Sequence, residues 1–98
     1  MTTCRFVTKE MLTNSVDMNI DSNLNFDDAR KIADEKARQI TADPMLMAWY
    51  DKKTGNFSPQ VECCSEEKPG WLVYAESRGA NIIVNINDQQ YVFAYREY

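Results

Sequence analysis

The stretch WLVYAESRGANIIVNINDQQYVFAYREY, which runs from Trp71 to Tyr98, decides the fold of this chain. Its apolar residues alternate over 71–76, 81–86 and 91–96, and polar, turn-forming residues separate the three runs. Because successive side chains of a strand point to opposite faces of a sheet, a period of two predicts a strand with one face suited to a core. The stretch therefore predicts three short strands joined by tight turns.

Six of the eleven aromatic residues of the chain lie in this stretch. In the last strand Tyr91, Phe93 and Tyr95 share one face, and Val92 and Ala94 lie on the other. If a helix covers Val92 and Ala94, the aromatic row lies on the open face of the sheet. If the helix covers the aromatic row, the row belongs to the core. The alternation by itself leaves both arrangements open.

One main helix is predicted after Leu24. Asn25 is a favourable N-cap residue, and Asp28 lies in the first turn, near the positive end of the helix dipole. Apolar residues then recur at spacings of three and four and form one stripe. The stripe consists of Phe26, Ala29, Ile32, Ala33, Ala37 and Ile40. Packing of this stripe on a sheet would hold the helix, with about 2–3 kcal/mol from each buried isoleucine.

Four further segments predict strands. Residues 4–9 alternate weakly, residues 16–20 alternate more clearly, and residues 45–50 form the continuous apolar run of a buried strand. Residues 57–62 predict an edge strand because their proline cannot donate a hydrogen bond to a neighbour. The whole pattern predicts a single α+β domain over residues 1–98, with a largely antiparallel sheet of about five to seven strands and one main helix packed on one face.

The composition makes several functional classes unfavourable. The 98 residues carry a net charge of −4, and their lysines and arginines are scattered. Nucleic-acid binding relies on clustered cations, and a membrane-spanning helix needs about 20 apolar residues in succession. The first residues also lack the basic and then apolar pattern of a signal peptide. We therefore expect a soluble cytoplasmic protein that binds neither nucleic acid nor membranes.

The absence of histidine from the chain limits the chemistry it can perform. It removes the usual general base at neutral pH, the Ser–His and Cys–His pairs, and the imidazole metal ligands. The three glycines are too far apart to form a phosphate-binding loop. The sequence therefore predicts no catalytic residue, no cofactor and no established metal motif, although other side chains could still support an enzyme.

The three cysteines are Cys4, Cys63 and Cys64. Two adjacent cysteines on extended backbone point to opposite faces, and their Cα atoms lie too close together for a relaxed disulfide. The acidic residues around the pair also disfavour a reactive thiolate. We interpret the pair as one buried and one rim cysteine. A thiol-dependent enzyme is the alternative, as is a soft-metal site formed if Cys4 approaches the pair.

The leading functional hypothesis is a non-catalytic binding or oligomerising module that uses the C-terminal aromatic sheet. The candidate binding residues are Trp71, Tyr74, Tyr91, Phe93 and Tyr95. Exposed aromatic patches mark interaction sites, so the expected partner is a protein, which includes a second copy of this chain. A further alternative is an inhibitor-like protein whose acidic surface binds a basic partner.

Several motifs occur together from the middle of the chain to its end. They are Trp49-Tyr50-Asp51, Gly55, Ser58-Pro59, Cys63 or Cys64, Pro69-Gly70-Trp71, Tyr74 to Gly79, and Tyr91 to Tyr95. With these motifs the chain resembles a small family from bacteria and archaea, a domain of unknown function with an α+β fold. The resemblance extends from about Asn25 to the C-terminus; it implies the fold and assigns no catalytic or binding residue. A lesser likeness, to PepSY-type modules, rests on Asp28-Ala29 and on the turn at 51–55, but the order and number of strands fit those modules poorly.

Overall fold

The structure is a computed structural model that describes residues 12, 15–20, 23–58 and 70–97. Within these residues the chain forms a five-stranded sheet and two helices. In chain order the elements are β1 (Ser15–Met18), α1 (Phe26–Ile40), β2 (Pro44–Asp51), β3 (Asn56–Ser58), α2 (Gly70–Ser77), β4 (Ala80–Ile86) and β5 (Tyr91–Glu97). Neither helix is long and apolar enough to cross a membrane. The weakly alternating segment 4–9 lies outside the described residues.

The strands are arranged across the sheet in the order β1-β4-β5-β2-β3. The pairs β4–β5, β5–β2 and β2–β3 are antiparallel, whereas β1 runs parallel to β4. The predicted α+β class and the largely antiparallel sheet are confirmed, and the parallel β1–β4 pair makes the sheet a mixed one. β3 lies at an edge, as the proline that follows it predicts.

The segment that begins at Trp71 is a helix, so the prediction of a strand over 71–76 is wrong. A short continuous apolar run fits a buried helix as well as a buried strand, and periodicity cannot separate the two. In α2 the spacing of three and four residues places Trp71, Leu72 and Ala75 on the sheet, and all three are fully buried. The chain then turns into β4 through Gly79, which has a φ of +91°.

The two helices lie on opposite faces of the sheet. α2 packs with Ala48, Ile83, Val92 and Ala94 in one cluster of buried side chains. α1 packs in a second cluster that contains the aromatic row of β5. α1 is the one main helix that the sequence predicts, and a second, shorter helix that the sequence does not predict, α2, covers the other face.

The aromatic row of β5 lies beneath α1, which settles the arrangement that the alternation left open. Tyr91, Phe93 and Tyr95 are each no more than 1% exposed. The Tyr91 hydroxyl donates to the carbonyl oxygen of Leu24 at 3.1 Å, and the Tyr95 hydroxyl donates to Asp34 Oδ1 at 2.5 Å. Both buried hydroxyl groups therefore have acceptors along α1 and the chain that enters it, as a core position for tyrosine requires.

α1 approaches the sheet closely because its buried stripe consists of alanine. Ala29, Ala33 and Ala37 are fully buried, and Phe26 packs against Phe93 with ring centroids 5.5 Å apart. Ile40, in contrast, is 48% exposed, so the expected burial of this isoleucine is wrong. It is the last residue of α1, and the extended backbone of the next residue leads the chain away toward β2.

The predicted N-cap of α1 is confirmed, because Asn25 Oδ1 accepts a hydrogen bond from the Asp28 N–H at 2.8 Å. Replacement of Asn25 by alanine should lower the free energy of unfolding by about 1 kcal/mol, since one N–H of the first turn loses its acceptor. Urea unfolding monitored by circular dichroism measures this change. Asn23→Ala, at an exposed position outside the helix, is the matched control; an equal loss there would contradict the capping role.

Candidate ligand-binding site

Two turns meet at one end of the sheet, and the register of β2 with β5 brings them together. Asp51, the last residue of β2, is the partner of Tyr91, the first residue of β5. The β2–β3 turn (52–55) and the β4–β5 turn (87–90) therefore project from the same end. The Lys52 N–H donates to the Gln90 carbonyl oxygen at 2.9 Å, which joins the two turns directly.

The β4–β5 turn has an unusual backbone. Asn87, Asp88 and Gln89 have φ angles of +54°, +54° and +66°, so three successive residues other than glycine are left-handed. Such residues cost about 1–2 kcal/mol each in the left-handed region, although asparagine and aspartate adopt it more readily than other types. The surrounding structure must stabilise this turn, and strained backbone of this kind is concentrated at functional sites.

Asn85 supplies much of this stabilisation from the end of β4. Its side chain is 3% exposed and makes three hydrogen bonds. Oδ1 accepts from the Gln89 N–H at 2.7 Å, and Nδ2 donates to Gln89 Oε1 at 2.9 Å and to Asp17 Oδ1 at 3.2 Å. The buried Asn85 carboxamide thus holds both the backbone and the side chain of Gln89, and it ties the turn to Asp17 of β1.

Asn87 connects the same turn to the chain that follows β1. Its N–H donates to the Met18 carbonyl oxygen at 2.8 Å, and its Oδ1 accepts from the Ile20 N–H at 2.7 Å. The two asparagines together make the left-handed turn a rigid part of the domain, because each anchors it to a different strand or segment.

Lys53, in the β2–β3 turn, is held by two hydrogen bonds. Its Nζ donates to the Leu24 carbonyl oxygen at 3.1 Å, the same oxygen that accepts from the Tyr91 hydroxyl. Its N–H donates to Oδ1 of the buried Asp51 at 3.0 Å. The ammonium group is therefore positioned by contacts with the backbone just before α1.

A cavity of about 320 Å³ lies between the two turns. It is lined by Lys52, Lys53, Asn87, Asp88 and Gln90. Two ammonium groups and one carboxylate give this lining a net positive charge, in a chain whose net charge is −4. Its volume lies at the lower end of the range of small-molecule sites, which is roughly 300–1,000 Å³. The groups present can bind and orient a small anion through ammonium and carboxamide hydrogen bonds.

The structure places the predicted aromatic binding residues mainly in the core. Trp71, Tyr91, Phe93 and Tyr95 are buried, and Tyr74 is half-buried beneath the Arg78 guanidinium, 4.8 Å from the centre of its ring. Only Tyr74 of the five presents appreciable surface. A protein partner or a second copy of the chain stays a prediction.

Trp71 is the member of this set with a buried polar atom that is unsatisfied within the described part of the chain. Its ring stacks on Tyr50, with centroids 5.6 Å apart and planes 5° from parallel. The buried indole N–H has no hydrogen-bond partner among the described residues. This side of the sheet therefore holds a donor beneath α2, away from the cavity between the turns.

The candidate thiol or metal site, Cys4 with Cys63 and Cys64, lies outside the described residues. Among the residues that the structure does describe, no group of three or more Cys, His, Asp or Glu side chains could hold a metal ion. The thiol-dependent alternative and the acidic inhibitor-like alternative therefore stay predictions.

The sequence contains weak signals for the cavity that the aromatic pattern obscured. Lys52-Lys53 is a short basic pair in a turn, and Asn87-Asp88-Gln89 is a hairpin turn without glycine. Left-handed hairpin turns usually contain glycine, so this composition could have marked a turn held by side chains. Nothing in the sequence shows that the two turns face each other.

Comparisons with known proteins agree with the resemblance seen in the motifs. Residues 13–95 match the family described as Domain of unknown function (DUF5619). An uncharacterized protein of Archaeoglobus fulgidus is 33% identical over 82 residues, which span 84% of this chain and 87% of the relative. The crystal structure of AF1514 from that organism, described as a novel non-family-model protein, superposes with a TM-score of 0.75 at 31% identity and covers 89% of this chain and 96% of its own.

The PepSY likeness stays a prediction, since none of these comparisons bears on it.

The match over residues 13–95 includes every described strand and both described helices, except the last two residues of β5. By this match and by the fold shared with the solved relative, the chain is a member of the DUF5619 family, a domain of unknown function.

Proposed function

We propose that this domain is a non-catalytic binding module whose ligand is a small anion, held between the turn at 52–55 and the turn at 87–90. One observation carries the proposal: two lysines and a rigid left-handed turn converge on a cavity of about 320 Å³. The proposal relocates the binding role from the aromatic sheet, which is mostly core, to the end of that sheet.

Pre-organisation of the lining supports a binding role. The left-handed turn is fixed by the carboxamides of Asn85 and Asn87, and Lys53 is fixed by the Leu24 carbonyl. A rigid site loses little conformational entropy when a ligand binds, so more of the contact energy appears as affinity. The strain stored in residues 87–89 is consistent with a turn retained for a site rather than for stability.

The electrostatics of the cavity support an anionic ligand. Lys52 is exposed, and no described carboxylate lies within ion-pair distance of its ammonium group. The neighbouring Lys53 adds a second positive charge, whereas Asp88 is the single acid of the lining. An anion that contacts both lysines would form charge-assisted hydrogen bonds, which are roughly twice as strong as neutral ones.

Calorimetric titration of the protein tests the proposal, with inorganic phosphate, citrate and adenosine monophosphate as separate probes at constant ionic strength. We expect saturable binding of at least one probe. Lys52→Gln should weaken that binding by about tenfold or more, because a hydrogen bond to a charged group contributes about 1.5–3 kcal/mol.

Lys31→Gln is the matched control, because Lys31 is an exposed residue of α1 that does not line the cavity. It removes the same charge and should leave the affinity unchanged. Equal weakening in Lys31→Gln would show that Lys52 acts only through the net charge of the protein. The absence of saturable binding by any probe would overturn the proposal.

A further inference from the structure

A second cavity, of about 200 Å³, lies between α1 and the first residues of β2. It is lined by Arg30, Asp34, Arg38, Pro44, Leu46 and Tyr95. The three charged residues are spaced by four along α1, so they form one row on the flank of the helix. Tyr95 forms its base from the aromatic row of β5. This cavity shares no lining residue with the one between the two turns.

The negative charge in this cavity already has partners. Asp34 Oδ1 accepts from the Tyr95 hydroxyl at 2.5 Å, and Asp34 Oδ2 lies 3.7 Å from Arg30 Nε. The buried Tyr95 hydroxyl fixes the carboxylate, and the half-exposed Arg30 guanidinium lies beside it and offsets part of its charge.

Arg38 supplies the positive charge that no described acid offsets. It is exposed, and no described carboxylate lies within 4.0 Å of its guanidinium. Arg38 and Arg30 both line the cavity that Tyr95 also lines. Two guanidinium groups and one carboxylate leave the cavity with a net charge of +1.

We infer that this cavity is an oxyanion site, in which Arg38 and Arg30 bind a single phosphate or carboxylate group. The planar guanidinium carries five donors in a fork that matches both kinds of oxyanion. The volume is below the range of whole small-molecule sites, roughly 300–1,000 Å³, and suits one charged group of a ligand. Pro44 and Leu46 add an apolar wall to a lining that is otherwise mostly polar.

Nuclear magnetic resonance of the arginine Nε–Hε groups tests this inference on the intact protein. Inorganic phosphate and acetate are titrated separately, with chloride used to keep the ionic strength constant. We expect the Arg30 and Arg38 signals to shift along a saturable curve with at least one probe. The probe that binds more tightly identifies the preferred oxyanion, phosphate or carboxylate.

Two variants make the result specific. Arg38→Gln should weaken oxyanion binding in this cavity about tenfold or more, because a charged hydrogen bond is lost. It should leave the affinity of the cavity between the two turns, which depends on Lys52, unchanged. Lys31→Gln, which removes a positive charge elsewhere on α1, should have no effect on either site. Shifts that stay linear with concentration, or equal weakening in Lys31→Gln, would overturn the inference without bearing on the cavity between the turns.

Discussion

Replacement of Phe93 by alanine is expected to lower the free energy of unfolding by about 3–5 kcal/mol. Phe93 is fully buried at the centre of β5, which has a strand on either side. Its ring contacts Phe26 of α1 with centroids 5.5 Å apart. Truncation would remove apolar contact between helix and sheet and leave a cavity that alanine residues on α1 cannot fill.

Equilibrium unfolding in urea at neutral pH measures this loss. Val73→Ala is the control, because Val73 is an aliphatic residue on the outer side of α2 and is 38% exposed. Its truncation should change the free energy by less than about 1 kcal/mol. A similarly small change for Phe93→Ala would mean that the aromatic row faces solvent, which would contradict the packing of α1 on that face.

The stability of the protein is expected to fall steeply as the pH rises above about 10. Burial raises the pKa of Tyr50, Tyr91 and Tyr95 above its ordinary value, and the nearby carboxylates of Asp51 and Asp34 raise it further. For Tyr95 the hydrogen bond to Asp34 adds to the effect, whereas Arg30 and Arg38 oppose it. All three tyrosines therefore keep their protons longer in the folded state than in the unfolded chain.

The sign of the effect follows from proton linkage. Below pH 10, near the ordinary tyrosine pKa, both states are protonated and the contribution of these groups is fully present. Above it, the unfolded chain releases protons that the folded state retains, so unfolding becomes more favourable. Tyr95, whose pKa is raised furthest, should lower the free energy of unfolding by up to about 1.4 kcal/mol per pH unit, and Tyr50 and Tyr91 act in the same direction.

Urea unfolding at intervals between pH 8 and pH 11 measures this slope. Tyr95→Phe isolates the contribution of one tyrosine to this slope. The variant should be less stable at neutral pH, where Asp34 loses a donor, but its alkaline slope should be shallower by about 1.4 kcal/mol per pH unit. Identical slopes in the two proteins would show that the Tyr95 hydroxyl titrates alike in the folded and unfolded states.

Local features of the fold were predictable because their physical causes act over a few residues. Asn25 caps α1 through a hydrogen bond within the first turn. Gly55 has a φ of +77°, as its place in the β2–β3 turn predicts. The continuous apolar run that starts at Met45 forms most of β2, and the two alternating runs that follow Gly79 form β4 and β5.

The segment 70–77 was not predictable in this way. The alternation over 71–76 has apolar residues in both of its sets, so the period of two that predicted a strand fits a buried helix as well. The sheet face that carries Ile83, Val92 and Ala94 needs a cover, and α2 supplies it with Trp71 and Leu72. The secondary structure of this segment is thus set by packing across the sheet.

The candidate sites were beyond the reach of the sequence for a related reason. Lys52 and Gln90 are far apart in the chain, and the register that pairs Asp51 with Tyr91 brings them into contact. Arg38 and Tyr95 meet because α1 lies on the aromatic face of β5. Each site combines residues whose proximity depends on a long-range pairing or on the choice of a sheet face.

By itself, therefore, the sequence determined the α+β class, the helix that begins after Asn25, and the strands whose residues alternate, since caps, turns and periodicity are local properties. Only the tertiary structure decided that α1 covers the aromatic row and that α2 covers the opposite face. The physical reason is that both faces of β5 are apolar, so alternation gives no preference between them. α1 covers the aromatic face because its alanine stripe packs on the aromatic rings of the sheet. The Tyr91 and Tyr95 hydroxyl groups also find acceptors there, at the Leu24 carbonyl oxygen and at Asp34.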